Sequence, residues 1–486
     1  MRRLRRAGLV VVALVGAVPV LLLAVATAWL GSNLGDIAPR PRPAVLQLPQ
    51  AAVADDRNVF FALAGLSAEP GRDPAAAGQA LWQITLEQAA LTPHERLNGP
   101  KAQALRDRDS TEFKRQVSAP AGPLLTCSAD VPDCVNARLA QPAAVAAERQ
   151  AMALVGARCD ALAQSSLEFE ERIPPRPHYA AAISPHTQGA LACARWWRSG
   201  AVLAWKGGQA QAAVTQLERA VNLSAMLLTG GHSLISHMLS ASITRDTQST
   251  IVALGLRDPA LATALTPLLD PAPGAANEVV QTQAVQRWMA VEAAISHSAL
   301  AEAFECLEAA DTGPTPFLDR LIARVSHWQC GHRIGLQAES TLALADDFWA
   351  GTADALGGGL PAAVQHLDAR LQQAQVAGWR WRNTVGHILI DVALPAHAQY
   401  VRQAADLPLH TEAAALVLAA AAQQVPAAER AAWAQRQAMS ATLRERSRWD
   451  PSGQVFAVRT WYEEGRTTPI EPRQAIRFTW PTATQG

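Results

Sequence analysis

The chain has 486 residues, 49% of them hydrophobic and 17% charged, which is enough apolar material for one large or two moderate cores and excludes a disordered tether. Its 42 basic residues balance 42 acidic ones, but Arg2, Arg3, Arg5 and Arg6 precede a long uncharged run, so the remainder carries 38 against 42, a net of −4. Nucleic acid or an anionic bilayer surface is thereby excluded as the main electrostatic partner, because both need a concentrated positive face.

No charge occurs from Ala7 to Leu30, and about 20 apolar residues suffice to cross the hydrocarbon core as a helix. Four arginines flank the run on one side, against Asp36 and then Arg40 on the other, which places the N-terminus in the cytoplasm. The expected order is a cytoplasmic basic tip over 1–6, a transmembrane anchor over 7–30 that meets the lipid bilayer from Ala7 to Leu30, and an exported remainder. A cleaved signal peptide competes with the anchor, since Ala24-Val25-Ala26 has the small-x-small form of a processing site. The run is longer than a signal's usual apolar core of about 7–15 residues and continues through Trp29 and Leu30. The paired arginines lack the flanking polar and aromatic residues of a twin-arginine signal.

Residues 31–52 hold Pro39, Pro41, Pro43 and Pro49, which favour extended geometry and predict a semi-rigid spacer holding the folded part off the membrane. A helical domain is expected over 53–446. It opens with a short helix through Phe60 and Leu63 that stops at Gly71, and Asp73-Pro74 starts the next, aspartate as cap and proline in the first turn. The same signal recurs at Thr92-Pro93, Ser184-Pro185, Asp258-Pro259 and Thr315-Pro316. Between these signals alanine, leucine, glutamine and arginine dominate, so the domain reads as all-α. Helices are predicted over 74–90, 142–165, 187–206, 210–228, 232–254, 275–307, 316–330, 336–356, 361–376, 383–404, 410–423 and 427–446.

Six cysteines in an exported chain are compatible with disulfides, and six allow 15 pairings. Cys127 and Cys134 flank a short turn containing Pro132 and are the local candidates, a ring whose closure contributes about 2–3 kcal/mol if unstrained. Cys159 falls on the helical stripe Val145, Met152, Val155, Cys159, Leu162, so a buried free thiol and a bridge to Cys193 both remain open. Cys306 and Cys330 carry no preference.

Trp197, Ala201, Gly208, Ala213, Leu217 and Ala220 fall at the spacings where a tetratricopeptide repeat places its large and small packing residues, and the segment 194–224 resembles one such repeat. The resemblance implies two antiparallel helices turning at Gly207-Gly208. No second clear copy follows at the repeat period, which leaves an α-solenoid-like array and an irregular bundle of antiparallel hairpins as alternatives. Ala220 to Thr244 carries no formal charge; Gly230-Gly231, His232, His237 and several serines make it a buried hairpin rather than a second membrane span. The C-terminal element over 447–486 changes character, with alternating aromatic and β-branched residues predicting a small β-hairpin from about 454 to 480.

Catalytic patterns are missing: there is no GxxxxGK[ST], HExxH, GxSxG or strand-linked GxGxxG. His327, Cys330 and His332 are considered as metal ligands, but no fourth ligand stands nearby. His232 and His237 miss the i, i+4 spacing and read as core or solvated histidines. Asp346-Asp347, and Glu168 with Glu171, read as solvated carboxylates. Trp196 and Trp379-Arg380-Trp381 could serve as stacking platforms, although core packing is the simpler use of 14 tryptophans. No catalytic, cofactor or metal residue is assigned.

With its anchor, its paired cysteines, Asn383 and Gly386 in an Asn-x-x-Gly helix start, and Trp449-Asp450-Pro451 near the end, the chain resembles uncharacterised single-pass envelope proteins of Gram-negative bacteria. That resemblance implies an inner-membrane anchor and a periplasmic body and supplies no activity; an envelope protein partner is expected from the anchor, the spacer, the repeat-like hairpin and the missing catalytic motifs. Gly386 would allow close helix packing, and Trp449-Asp450-Pro451 would mark a helix-to-strand turn. The expected function is binding or scaffolding in the cell envelope. The alternative is an envelope enzyme acting on wall glycan or peptide.

Overall fold

Short polar caps ahead of proline start the helices, as the sequence demands. In a computed structural model, which describes residues 23–29, 36–92, 95, 99–114, 122–126, 134–175, 185–269, 278–304, 337–376, 382–464 and 476–481, Asp73 accepts from the Ala76 N–H (2.8 Å) and Asp258 from the N–H groups of Ala260 (3.1 Å) and Leu261 (3.0 Å). Each fills donors that a first helical turn leaves orphaned.

The first half holds α1 (Val59–Ala64), α2 (Pro74–Ala89), α3 (Pro100–Lys114), α4 (Pro123–Thr126), α5 (Cys134–Ala140), α6 (Pro142–Ala151) and α7 (Ala153–Ala163). Every residue of α1 is buried. The single helix predicted over 142–165 is two: Met152 leaves helical geometry (φ −99°, ψ 11°) and buries its side chain in the core. Then come α8 (His186–Lys206), α9 (Ala210–Gly230), α10 (Leu234–Gly255), α11 (Pro259–Leu265), α12 (Glu278–Phe304), α13 (Ala338–Leu356), α14 (Leu360–Val376) and α15 (Thr384–Ala422). The segments predicted as 383–404 and 410–423 are one helix running through Pro408. A proline inside a helix costs about 3 kcal/mol, and burial of Val401, Ala404, Leu407, Leu409, Ala413 and Val417 along α15 offsets it.

After α16 (Arg430–Gln435) and α17 (Ala441–Arg446), the strands β1 (Ser447–Trp449), β2 (Val455–Val458) and β3 (Ile476–Thr479) form one antiparallel sheet in the order β1-β2-β3, with α18 (Trp461–Glu464) between β2 and β3. Trp449 pairs with Phe456, and Phe456 with Phe478. A two-stranded hairpin is expected from the sequence, and among the described residues the sheet has three strands. Trp449-Asp450-Pro451 consequently closes a strand-to-strand turn, with Gly453 (φ +68°) returning an N–H to Asp450 O (3.0 Å), in place of the expected helix-to-strand turn.

The body is organised around α10, which packs against α8, α9, α11, α12 and α15. A regular repeat array gives each element neighbours only before and after it, so the described helices make a bundle around a central helix. That position explains the uncharged stretch from 220 to 244: it is the end of α9 and the start of α10, buried by protein. Inside α10 the hydroxyls of Thr247 and Ser240 are satisfied by backbone, at Ile243 O (2.6 Å) and Ser224 O (2.7 Å), whereas Thr244 Oγ1 is buried without a partner.

Among the described residues no helix is long and apolar enough to cross a membrane. Of the expected anchor only Leu23–Trp29 is described, as helix, and the rest of residues 7–30 lies outside the described residues. The proline segment does not stand free. Asp36 accepts from the N–H groups of Glu339 (2.7 Å) and Ser340 (2.9 Å) at the start of α13, and Leu46 is fully buried against α12 and α13. The chain therefore reaches the folded body near residue 36, correcting the spacer expected over 31–52; the apolar side chain at Leu46 outweighs the polyproline tendency of its neighbours.

Candidate functional site

The expected hairpin is formed by α8 and α9. Gly208 at its turn has φ +73°, a conformation that favours glycine. Ala201, Ala213, Leu217 and Ala220 are fully buried and Trp197 nearly so, which lets the two helices approach closely. Trp197 Nε1 donates to Asp160 Oδ1 (2.9 Å) and Trp196 Nε1 to Asp160 Oδ2 (3.1 Å), while Arg219 pairs with the same carboxylate (2.7 Å). Arg149 stacks over the Trp196 ring at 3.5 Å. These indoles are committed to packing; Trp379 and Trp381 lie outside the described residues. A disulfide joins Cys159 on α7 to Cys193 on α8, both fully buried, which decides the question left open for Cys159. Cys134 is disulfide-bonded; Cys127, its expected partner, lies outside the described residues, as do Cys306 and His327, Cys330 and His332.

Two polar clusters are built on this frame. The first is sealed. Residues 168–171 run extended past α1, where Asn58 Nδ2 donates to Glu170 O (2.7 Å) and Asn58 Oδ1 accepts from the Glu170 N–H (3.0 Å). The Glu168 side chain is 54% exposed, whereas Phe169, Glu170 and Glu171 are all buried, Glu171 at 3% exposed. The solvated reading thus fails for Glu171. Its carboxylate accepts from the N–H groups of His232 and Ser233 (2.7 Å each) and from Ser233 Oγ (2.6 Å), closing the N-terminus of α10. Burial alone would raise this carboxyl, but His186 and those donors outweigh it and hold it below the ordinary range. His186, packed on Phe60 and Phe169, is held down to about 4 by burial against the opposing pull of Glu171. Its Nε2 lies 3.0 Å from Ser236 Oγ. Glu292 is pushed up to about 7, first by burial and then by the charge of Glu171. His232 and His237 are buried, and His237 is held down to about 4 by burial with Arg287 adding to it.

The second cluster opens to solvent. A cavity of about 620 Å³ lies between α5, α8, α10 and the end of β3, within the size range of small-molecule sites. Arg138, Arg198, Arg257 and Arg477 line it, and Asp246, whose side chain is 49% exposed, is the one carboxylate among its described lining residues. Arg138 donates through Nε to Leu124 O (2.6 Å) and through Nη2 to Leu125 O (3.0 Å). Arg257 donates to Ala253 O (2.6 Å) and Asn136 Oδ1. Arg198 differs. It is 2% exposed, its Nη1 stands 2.6 Å from Asp246 Oδ2 without hydrogen-bond alignment, and its Nε has no partner. Burial, with Arg138 and Arg195 beside it, lowers Arg198 to about 9, and burial lowers Arg138 to about 10 despite Glu148. Both stay charged at neutral pH. Val252, Leu256, Phe478 and Trp480 supply an apolar wall.

Sequence reasoning missed both clusters, because their members come from distant segments. One signal was present for the second: Arg195-Trp196-Trp197-Arg198 puts two arginines one turn apart with no acid within four residues on either side. Among the described residues no group of three or more His, Cys, Asp or Glu could hold a metal ion. Set against protein-family models, curated proteins and solved structures, the chain matches none.

Proposed function

We propose that the chain is a binding protein of the cell envelope, anchored in the inner membrane by residues 7–30 with its helical body in the periplasm, and that it recognises an envelope component through the cavity between α5, α8, α10 and β3. One observation carries this reading. The open cavity offers cationic donors and an apolar wall, while the hydroxyls of Ser249 and Thr250 at its edge donate to carbonyls of their own helix, those of Arg245 and Asp246 (2.9 Å each). Such a lining suits recognition better than acid–base chemistry. The disulfide between Cys159 and Cys193 fits an oxidising compartment, and the arginine-flanked apolar run supports the anchor.

A second reading has its own observation. Ser236 Oγ stands against His186 Nε2, and the charge of Glu171 acts on that histidine, which parallels a nucleophile and base with a supporting acid. Ser236 and His186 are fully buried and Glu171 nearly so, and a nucleophile needs access to its substrate, so this constellation supports the envelope enzyme less well. The test uses the full-length protein in a neutral detergent, incubated with envelope extract separated into proteins, wall fragments and small molecules. We expect a component that binds the unaltered chain, is lost from Ala253→Trp, which puts an indole into the cavity, and is kept by Ser236→Ala. Binding indifferent to Ala253→Trp would overturn the cavity reading. Conversion of a wall fragment that Ser236→Ala abolishes would establish the enzyme.

A further inference from the structure

The strongest unexplained feature of the molecule is the Arg198 guanidinium. Moving such an ion out of water costs several kcal/mol unless its donors and charge are matched. Here the match is partial: Asp246 is half in solvent and misaligned, Nε is unpartnered, and the neighbouring cations are Arg138 and Arg195. The cavity onto which Arg198 faces also receives Arg257 and the exposed Arg477, so among its described lining residues four guanidinium groups meet one carboxylate. A planar guanidinium with free donors is suited to carboxylate or phosphate oxygens, which it binds through paired hydrogen bonds.

Size and shape narrow the ligand further. At about 620 Å³ the cavity far exceeds an inorganic ion, and Phe478 and Trp480 bury aromatic surface along one side of it. We propose that the cavity binds a small amphiphilic organic anion, its carboxylate or phosphate head against Arg198 and its apolar body along Val252, Leu256, Phe478 and Trp480. This rests on the reading of the cavity as a binding site and gives it a ligand class. Asp246 then acts as a placeholder, occupying part of the cationic field and yielding it to the ligand.

The test is calorimetric titration of the full-length protein, in nanodiscs of zwitterionic lipid, with phenyl phosphate, 4-phenylbutyrate and the neutral 4-phenylbutanamide. The anions should bind at least 10-fold more tightly than the amide, and whichever anion binds more tightly identifies the head group. Arg198→Gln should weaken the preferred anion at least 10-fold. Arg477→Gln, at an exposed position on β3 that leaves the fold intact, should weaken it about 3-fold. Asp246→Asn should tighten it about 3-fold or more, because the competing carboxylate is gone; a purely structural Arg198–Asp246 pair predicts no such gain. Equal binding of the amide, no binding of either anion, or unchanged affinity in both arginine variants would overturn the proposal. If envelope binding is nevertheless lost in Ala253→Trp, only the ligand class fails; if Ala253→Trp also has no effect, the cavity reading fails with it.

Discussion

Glu171 and Arg198 are both buried charges within one helical body, set against the same central helix α10, yet their surroundings are opposite. Glu171 has three donors aimed at its two oxygens and closes a helix end. Arg198 has a misaligned carboxylate, an unpartnered Nε and an open cavity beside it. Burial by itself therefore does not mark function. A fully matched charge is part of the frame, whereas an incompletely matched one next to open space is a site waiting for its complement.

The largest effect should come from the sealed region. Glu171→Ala leaves the N–H groups of His232 and Ser233 buried without an acceptor, and we expect a loss of about 3–5 kcal/mol in urea unfolding. Arg198→Met should be neutral or slightly stabilising, because Asp246 is exposed enough to be solvated. The comparison breaks if Arg198→Met costs as much as Glu171→Ala. Removing the Cys159–Cys193 bridge by a double alanine substitution, which frees a loop with a sequence separation of 34, should cost about 4 kcal/mol on loop entropy, read as a fall in Tm.

Acid should act next. His186, His237 and His397 are held down to about 4 and His410 to about 3, mainly by burial. Their contribution is present above the unfolded value near 6.5 and is lost as pH falls toward those folded values. Glu292 and Asp406 are pushed up to about 7, mainly by burial, so their contribution is present below their unfolded values and is lost as pH rises through 7. Between about pH 4.5 and 6.5 the unfolded chain takes up about two more protons than the folded one, and stability should rise with pH by at most about 2.7 kcal/mol per unit. Urea midpoints across that range check the sign. The smallest loss of stability expected is that of Asp258→Ala, about 1 kcal/mol, through the lost cap of α11.

Much of the fold was legible because its punctuation is local. Asp73-Pro74 and Asp258-Pro259 start helices, Gly208 turns a hairpin, and the aromatic alternation near the end becomes strands. Failures came where packing outweighed a local rule, as at Pro408 inside α15, or where an element was too short to carry a period, as in the three residues of β1. The highly charged α3 was missed because it has few apolar residues to set a helical stripe. The sites were hidden for another reason. Glu171 and Glu168 look alike in sequence, and only the fold leaves one in solvent and buries the other against the start of α10. Arg138, Arg198 and Arg477 converge only through the placement of α5, α8 and β3.

The most direct measurement is the thermal unfolding of the full-length protein and of Arg198→Gln, each with and without saturating phenyl phosphate or 4-phenylbutyrate. A ligand that binds only the folded state raises Tm by mass action, an increment of about 2.7 kcal/mol at a concentration 100 times Kd. The unaltered protein should show a clear rise with at least one anion, and Arg198→Gln should show about half of it or less at the same concentration. An equal rise in both proteins, or no rise in either, would contradict the assignment of Arg198 to ligand recognition.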